Sequence, residues 1–212
     1  MRPSRPEPLL LGCPGCGSAI VECAFALAGL PLAVEDVDYS PGSPTRERLL
    51  AVNPLGQVPA LVLPDGRVLT ESLAIVHWID DRAPRAGLVP ARGDPAREAF
   101  YRWVTFLVAA VYPTFTYGDE PRKWVADEAC AKRLRESTDR HREALWRQMD
   151  AEAASPWFLG ERPSAIDLYL LVMTRWRPGG AWIPEHAPAL AAIAARAGAL
   201  EALAPLLKRH FP

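Results

Sequence analysis

Asn53 to Asp81 reads NPLGQVPALVLPDGRVLTESLAIVHWIDD, and this stretch decides the fold. Asn53-Pro54-Leu55-Gly56 is turn chemistry, since proline fixes φ and glycine accepts positive φ. Ala60 to Leu63 is a short apolar run suited to a buried strand. Pro64-Asp65-Gly66 turns it, and Arg67 to Thr70 returns as a second strand. Glu71-Ser72 then opens a helix, where free backbone N–H groups and the helix dipole favour an anion. The Val58-Pro59 bond is a candidate cis peptide, because a proline leading into a strand cannot donate to the ladder. Taken singly, Glu71-Ser72 is an ordinary helix start and Pro59 an edge proline; only their joint spacing reads as a site.

Upstream, Met1 to Pro8 is a proline- and arginine-rich arm and Leu9 to Leu11 a first strand. Gly12 to Gly17 is a loop rich in glycine and cysteine. Ser18 to Ala28 reads as a helix, with Ala19, Val21, Cys23, Ala24, Leu27 and Ala28 as its small apolar surface and Gly29 as its stop. Pro31 to Val37 is a second strand, and strand-helix-strand suggests a parallel crossover. Thr45 to Val52 is a short helix. The first 85 residues therefore run βαβαββα.

Downstream, 86–93 is a linker rich in proline, glycine and arginine. Residues 94–212 then form an all-helical domain, as no strand pattern follows. Asp94 and Pro95 suit a helix start. Ala96 to Val111 carries apolar residues at helical spacing. Tyr112 to Gly118 is its least helix-like part. Val125 to Ala153 is a long charged helix with Leu134, Leu145, Trp146 and Met149 inward. Ser164-Ala165-Ile166-Asp167 is a capping box ahead of a buried helix running to Trp176, and both capping residues read as structural. Ala187 to Arg209 supplies one or two more helices.

The composition excludes several classes. A net charge of −1 over 212 residues offers no basic surplus for nucleic acid or an anionic membrane. Leu9 to Leu11 is too short for a signal-peptide core, and no run approaches the ~20 apolar residues of a membrane span, so a cytoplasmic protein is expected. Four cysteines, Cys13, Cys16, Cys23 and Cys130, are too few for a disulfide framework at this length. A Cys-x-x-Cys pair then reads as redox, metal or catalytic chemistry. No second ligand pair follows at zinc spacing, so no metal is expected. Cys23 and Cys130 read as packing residues or bystanders.

The NPLGQVPALVLPDG segment, followed by LTESLAIVHWI, resembles the glutathione-binding half of the cytosolic glutathione S-transferases, in a bacterial form of unassigned class. The resemblance covers essentially the whole chain. It implies a thioredoxin-like first domain and an all-α second domain, with glutathione as co-substrate. It further implies that the Val58 backbone, ahead of Pro59, pairs with the cysteinyl part of glutathione. Glu71 and Ser72 would hold the γ-glutamyl end, with Gln57 close by. The family keeps its thiol-activating residue between the first strand and the first helix, here Cys13-Pro14-Gly15-Cys16-Gly17-Ser18. Gly15 falls where several serine- and cysteine-type classes place that residue and Gly17 where the beta class places its cysteine, so this chain departs from both. Cys16, Ser18 and Cys13 remain as candidates.

Cys16 sits just before the helix start, a location that lowers a thiol pKa. Ser18 is the natural N-cap, its hydroxyl divided between that role and the glutathione sulfur. Cys13 reads as a resolving partner or bystander. Cys13-Pro14-Gly15-Cys16 also resembles the Cys-Pro-x-Cys of glutaredoxins, although two residues early relative to the helix end. Three activities stay open: a transferase acting on a small hydrophobic electrophile, a glutathione-dependent disulfide reductase, and a non-catalytic binding protein on the same fold. Phe106, Tyr112, Phe115, Tyr117 and Trp176 are candidates for an apolar pocket wall, with core packing the alternative for each. The family habit also implies a homodimer, with the Trp78 and Arg82 region as a contact.

Overall fold

The computed structural model describes residues 6–212, so residues 1–5 of the expected arm, Met1 to Pro8, lie outside it. The first elements come in the expected order: β1 (Leu9–Gly12), α1 (Ser18–Ala28), β2 (Ala33–Asp36), α2 (Pro44–Val52), β3 (Ala60–Val62), β4 (Val68–Thr70) and α3 (Ser72–Asp80). One four-stranded sheet results, ordered β2-β1-β3-β4. β1 and β2 are parallel, as the α1 crossover requires, while β3 runs antiparallel to both β1 and β4. Leu10, Leu11, Ile20, Phe25, Leu61 and Ile75 fill the core of this thioredoxin-like layer. α1 stops at Gly29, whose φ of 63° is the left-handed conformation that glycine adopts without a Cβ penalty.

A second compact unit, Pro90–Ala195, is helical. It holds α4 (Ala96–Phe106), α5 (Tyr112–Asp119), α6 (Glu128–Glu152), α7 (Ala165–Met173), α8 (Trp182–His186) and most of α9 (Pro188–Gly198). Asp94 accepts the Ala96 N–H at 2.8 Å, and Asp127 accepts the Cys130 N–H at 2.7 Å. The Ser164/Asp167 capping box forms, and every residue of α7 is buried. Tyr112 to Gly118, expected to be the least helical stretch, lies within α5. Pro113 explains the feature that precedes it. Proline has no N–H to give to an i−4 carbonyl, and Leu107–Val111 widens into a π-turn, with the Tyr112 N–H reaching back to the Leu107 carbonyl. Burial of Thr114 and Phe115 then outweighs a composition poor in helix formers. On α6, Leu145, Trp146 and Met149 are buried as expected, and so is Arg142, stacked over Phe115 at 4.2 Å.

The chain then returns to its first unit. Arg196–Pro212 clusters with the segment ending at Val89, not with the helices between. It contributes α10 (Ala204–His210), which packs with a preceding 3₁₀ turn against α1. α3 lies on α1 as well, with the Phe25 and Trp78 rings 6.1 Å apart. With these helices packed on it, α1 is buried from Ser18 to Phe25 without exception. Among the described residues, no single helix is long and apolar enough to cross a membrane.

Candidate active site

Sheet register gathers the three signatures. Leu11 of β1 lies opposite Ala60 of β3, and Ala60 opposite Thr70 of β4. The cysteine loop leaves β1 just beyond Leu11, Pro59 precedes Ala60, and Glu71-Ser72 follows Thr70. All three stand at one end of the sheet, which Asp36, paired with Gly12, also reaches.

The Val58-Pro59 bond is cis. Asn53, 4% exposed, shapes the loop ahead of it: its side-chain amide donates to the Gln57 carbonyl at 2.7 Å and its backbone carbonyl accepts the Gly56 N–H at 2.8 Å. Gln57 is exposed and Val58 half-buried. Across the sheet, Glu71 is the only non-glycine among the described residues with positive φ, at 63° with ψ 114°. A side chain held there stores backbone strain of the kind found at ligand sites. No sequence pattern marked it. Ser72, buried, is the first residue of α3.

The thiol loop is tightly built. A Cβ on Gly12 would lie 3.0 Å from the Ser18 Oγ and 3.1 Å from its Cβ, so any side chain there would press on Ser18. The Ser18 hydroxyl accepts the Cys13 N–H at 3.0 Å and donates to the Cys13 carbonyl at 3.1 Å. Its expected role as N-cap is thereby corrected: Gly17 occupies that position, and the Ser18 side chain ties the loop to the helix instead. All four cysteines are thiols. Cys16, half-buried, hydrogen-bonds to the thiol of Cys13. The expected lowering of its pKa is reversed. Burial pushes the thiol from 9.0 up to about 12, helped by the hydrogen bond and electrostatic interaction with Cys13 and by the Asp36 carboxylate. At neutral pH Cys16 is thus a hydrogen-bond donor and not a thiolate.

In the second unit, Tyr112, Phe115 and Trp176 come together. The Trp176 ring stands edge-on to both, 5.5 and 5.0 Å away. Of the other two expected wall residues, Phe106 stands edge-on to Trp103 at 5.2 Å and Tyr117 to Trp124 at 4.8 Å.

The sequence profile described as the glutathione S-transferase N-terminal domain matches residues 18–82. Over 201 residues, 94% of this chain and 96% of the relative, the chain is 36% identical to the uncharacterised GST-like protein YncG of Escherichia coli K12. The chain belongs to the glutathione S-transferase family. Its fold agrees with that of a Sulfitobacter glutathione transferase homologue solved with bound glutathione, at TM-score 0.86 and 26% identity over 95% of this chain and 97% of that one. A sphingomonad glutathione S-transferase complexed with glutathione matches at TM-score 0.75 and 29% identity, over 94% and 97% of the two chains.

One feature of this family member reaches beyond the matched profile. Glu22, in the middle of α1 and 3% exposed, receives Arg209 Nη1 at 2.9 and 3.0 Å. The other Arg209 nitrogen binds Asp36. Beside it, His210 accepts the Gly15 N–H on Nδ1 at 3.2 Å and points Nε2 at Glu22 Oε1, 3.3 Å away. Sequence reading passed over these residues. The available signal was a lone glutamate inside SAIVECAFALA, which has to find a cation somewhere.

Proposed function

We propose that the protein is a glutathione transferase that adds the thiolate of glutathione to a small hydrophobic electrophile. The observation that carries this reading is the Leu11–Ala60–Thr70 register, because it sets the thiol loop, the cis-proline strand and the strained Glu71-Ser72 helix start at one sheet end. In this reading the free N–H groups of α3 and the Ser72 side chain hold the γ-glutamyl carboxylate, with Glu71 facing the amino group. Val58 offers its backbone to the cysteinyl residue, and Gln57 lies near the tripeptide. Cys16, kept protonated, donates to the glutathione sulfur and so favours its thiolate. The Tyr112, Phe115 and Trp176 cluster is the aromatic surface assigned to the electrophile. The protein works as a homodimer in which the Trp78 and Arg82 face, where the guanidinium lies 3.7 Å over the indole, takes part; sedimentation showing a monomer at micromolar concentration would contradict that.

A second reading, glutathione-dependent disulfide reduction, is favoured by the Cys13–Cys16 hydrogen bond. The Cys13 thiolate would attack a small disulfide, forming a mixed disulfide and releasing one thiolate. A glutathione thiolate would then regenerate Cys13 as glutathione takes over the bound group. One panel separates the readings: a halogenated nitroarene and a small disulfide, each assayed with the wild type and with Cys16→Ala, Cys13→Ala and Ser18→Ala. Conjugation lost in Cys16→Ala supports the first reading. Reduction lost in Cys13→Ala with conjugation intact supports the second. Calorimetry showing no glutathione binding to the wild type would remove both.

A further inference from the structure

We infer that His210 is a positioning residue for the Cys13–Cys16 loop, acting through its grip on the Gly15 N–H. Gly15 sits at the apex of that loop with φ of 73°, and its N–H points out of the loop toward α10. A backbone N–H can only donate, so the Nδ1 that receives it must be the bare nitrogen of a neutral imidazole. The ring proton is then on Nε2, facing Glu22 Oε1. Arg209 Nη1, 3.2 Å from Nε2, is a neighbour that shares the carboxylate and not a donor to the ring. The His210 side chain is 1% exposed, so no water replaces either contact.

The remaining members fix the ring. Arg209 joins α1 through Glu22 to the end of β2 through Asp36. A carboxylate–guanidinium pair whose carboxylate is buried gains little over apolar residues of the same shape, because Glu22 gives up its hydration. Its return is direction: it sets where α10 lies on α1, and hence where Nδ1 meets Gly15. The thiol loop is thus held from both sides, by Ser18 at its base and by His210 at its apex.

Two near-isosteric variants separate the functions of the ring. His210→Asn keeps an acceptor where Nδ1 was and loses the reach to Glu22. His210→Gln keeps a donor near the Nε2 position and loses the acceptor for Gly15. The test is made on the unliganded protein, so its outcome is independent of the glutathione reading. Amide exchange of Gly15 is followed by NMR, and iodoacetamide labelling of each cysteine by mass spectrometry, with Cys130 in the second unit as internal standard. Wild type and His210→Asn should protect the Gly15 amide and label Cys16 at the same rate within about twofold; His210→Gln and His210→Ala should lose the protection and label Cys16 about tenfold faster. If His210→Ala does not fold, the Asn and Gln pair still decides. Equal behaviour of Asn and Gln, or protection retained in Gln and lost in Asn, would overturn the inference.

Discussion

Removing either end of the Glu22–Arg209 pair should be asymmetric, and the asymmetry follows from exposure. Glu22 is 3% exposed, whereas the Arg209 side chain is 32% exposed and keeps Asp36 as a second partner. Arg209→Met strands a carboxylate that water cannot reach. Breaking a fully buried pair this way costs about 3–5 kcal/mol, and the His210 Nε2 proton left beside Glu22 lowers that to about 2–4 here. Glu22→Gln leaves a neutral amide in the same space and an arginine that turns to Asp36 and solvent, at about 1–2 kcal/mol. The double variant, Glu22→Gln with Arg209→Met, no longer buries a lone charge. It should be more stable than Arg209→Met alone, which requires a coupling larger than the cost of Glu22→Gln, about 2–3 kcal/mol in the cycle. Urea unfolding of the four proteins, followed by far-UV circular dichroism at neutral pH, reads these values. A glutamine variant less stable than the methionine variant, or strict additivity, would refute the argument.

Three further outcomes follow from single residues. Glu71→Gly should raise stability by about 0.5–2 kcal/mol, the strain released less the entropy that glycine costs, while weakening glutathione binding; a lower urea midpoint would argue against strain at φ 63°. Cys16 titrates at about 12, above its unfolded value, so the folded state keeps a proton that the unfolded state loses; its stabilising share is whole below pH 9 and fades as pH rises toward 12, and Cys16 labelling should show no inflection between pH 6 and 9. Asp167→Ala should cost about 3–5 kcal/mol, since two buried amides, Phe158 N–H at 2.9 Å and Ser164 N–H at 2.7 Å, lose their acceptor; thermal unfolding of the variant checks it. Burial raises the Asp167 carboxyl despite those bonds, so wild-type stability contributed by this group falls as pH climbs out of the acid range, a slope the alanine variant should lack.

Local chemistry made most of the first unit legible. The Pro64-Asp65-Gly66 turn, Gly29 as helix stop and the apolar runs set element order within a residue or two of the observed bounds. What escaped is what loop closure and packing decide. The pKa of Cys16 looked as if it were set by a helix terminus, yet burial, a second thiol and Asp36 set it. Ser18 looked like a cap because its partner, the Cys13 backbone, is identified only once the loop has closed. Tyr112–Asp119 looked irregular because Pro113 and Gly118 spoke against a helix, and packing decided otherwise. Glu71 carries no local mark of its positive φ.

The return of Arg196–Pro212 has a consequence for the order in which the protein can be assembled. In sequence, the helices of Pro90–Ala195 are an insertion into the first unit. A growing chain that has only just passed Val89 has every strand of the sheet but not the wall that covers Glu22 and receives Gly15. Contacts of that sequence separation carry a large loop-closure cost and form late. The strands can pair early, but the thiol loop reaches its final shape only after the inserted helices have been made and the tail has come back. Until then α1 shows a carboxylate and an apolar face to its surroundings, a state open to chaperones and to misassociation.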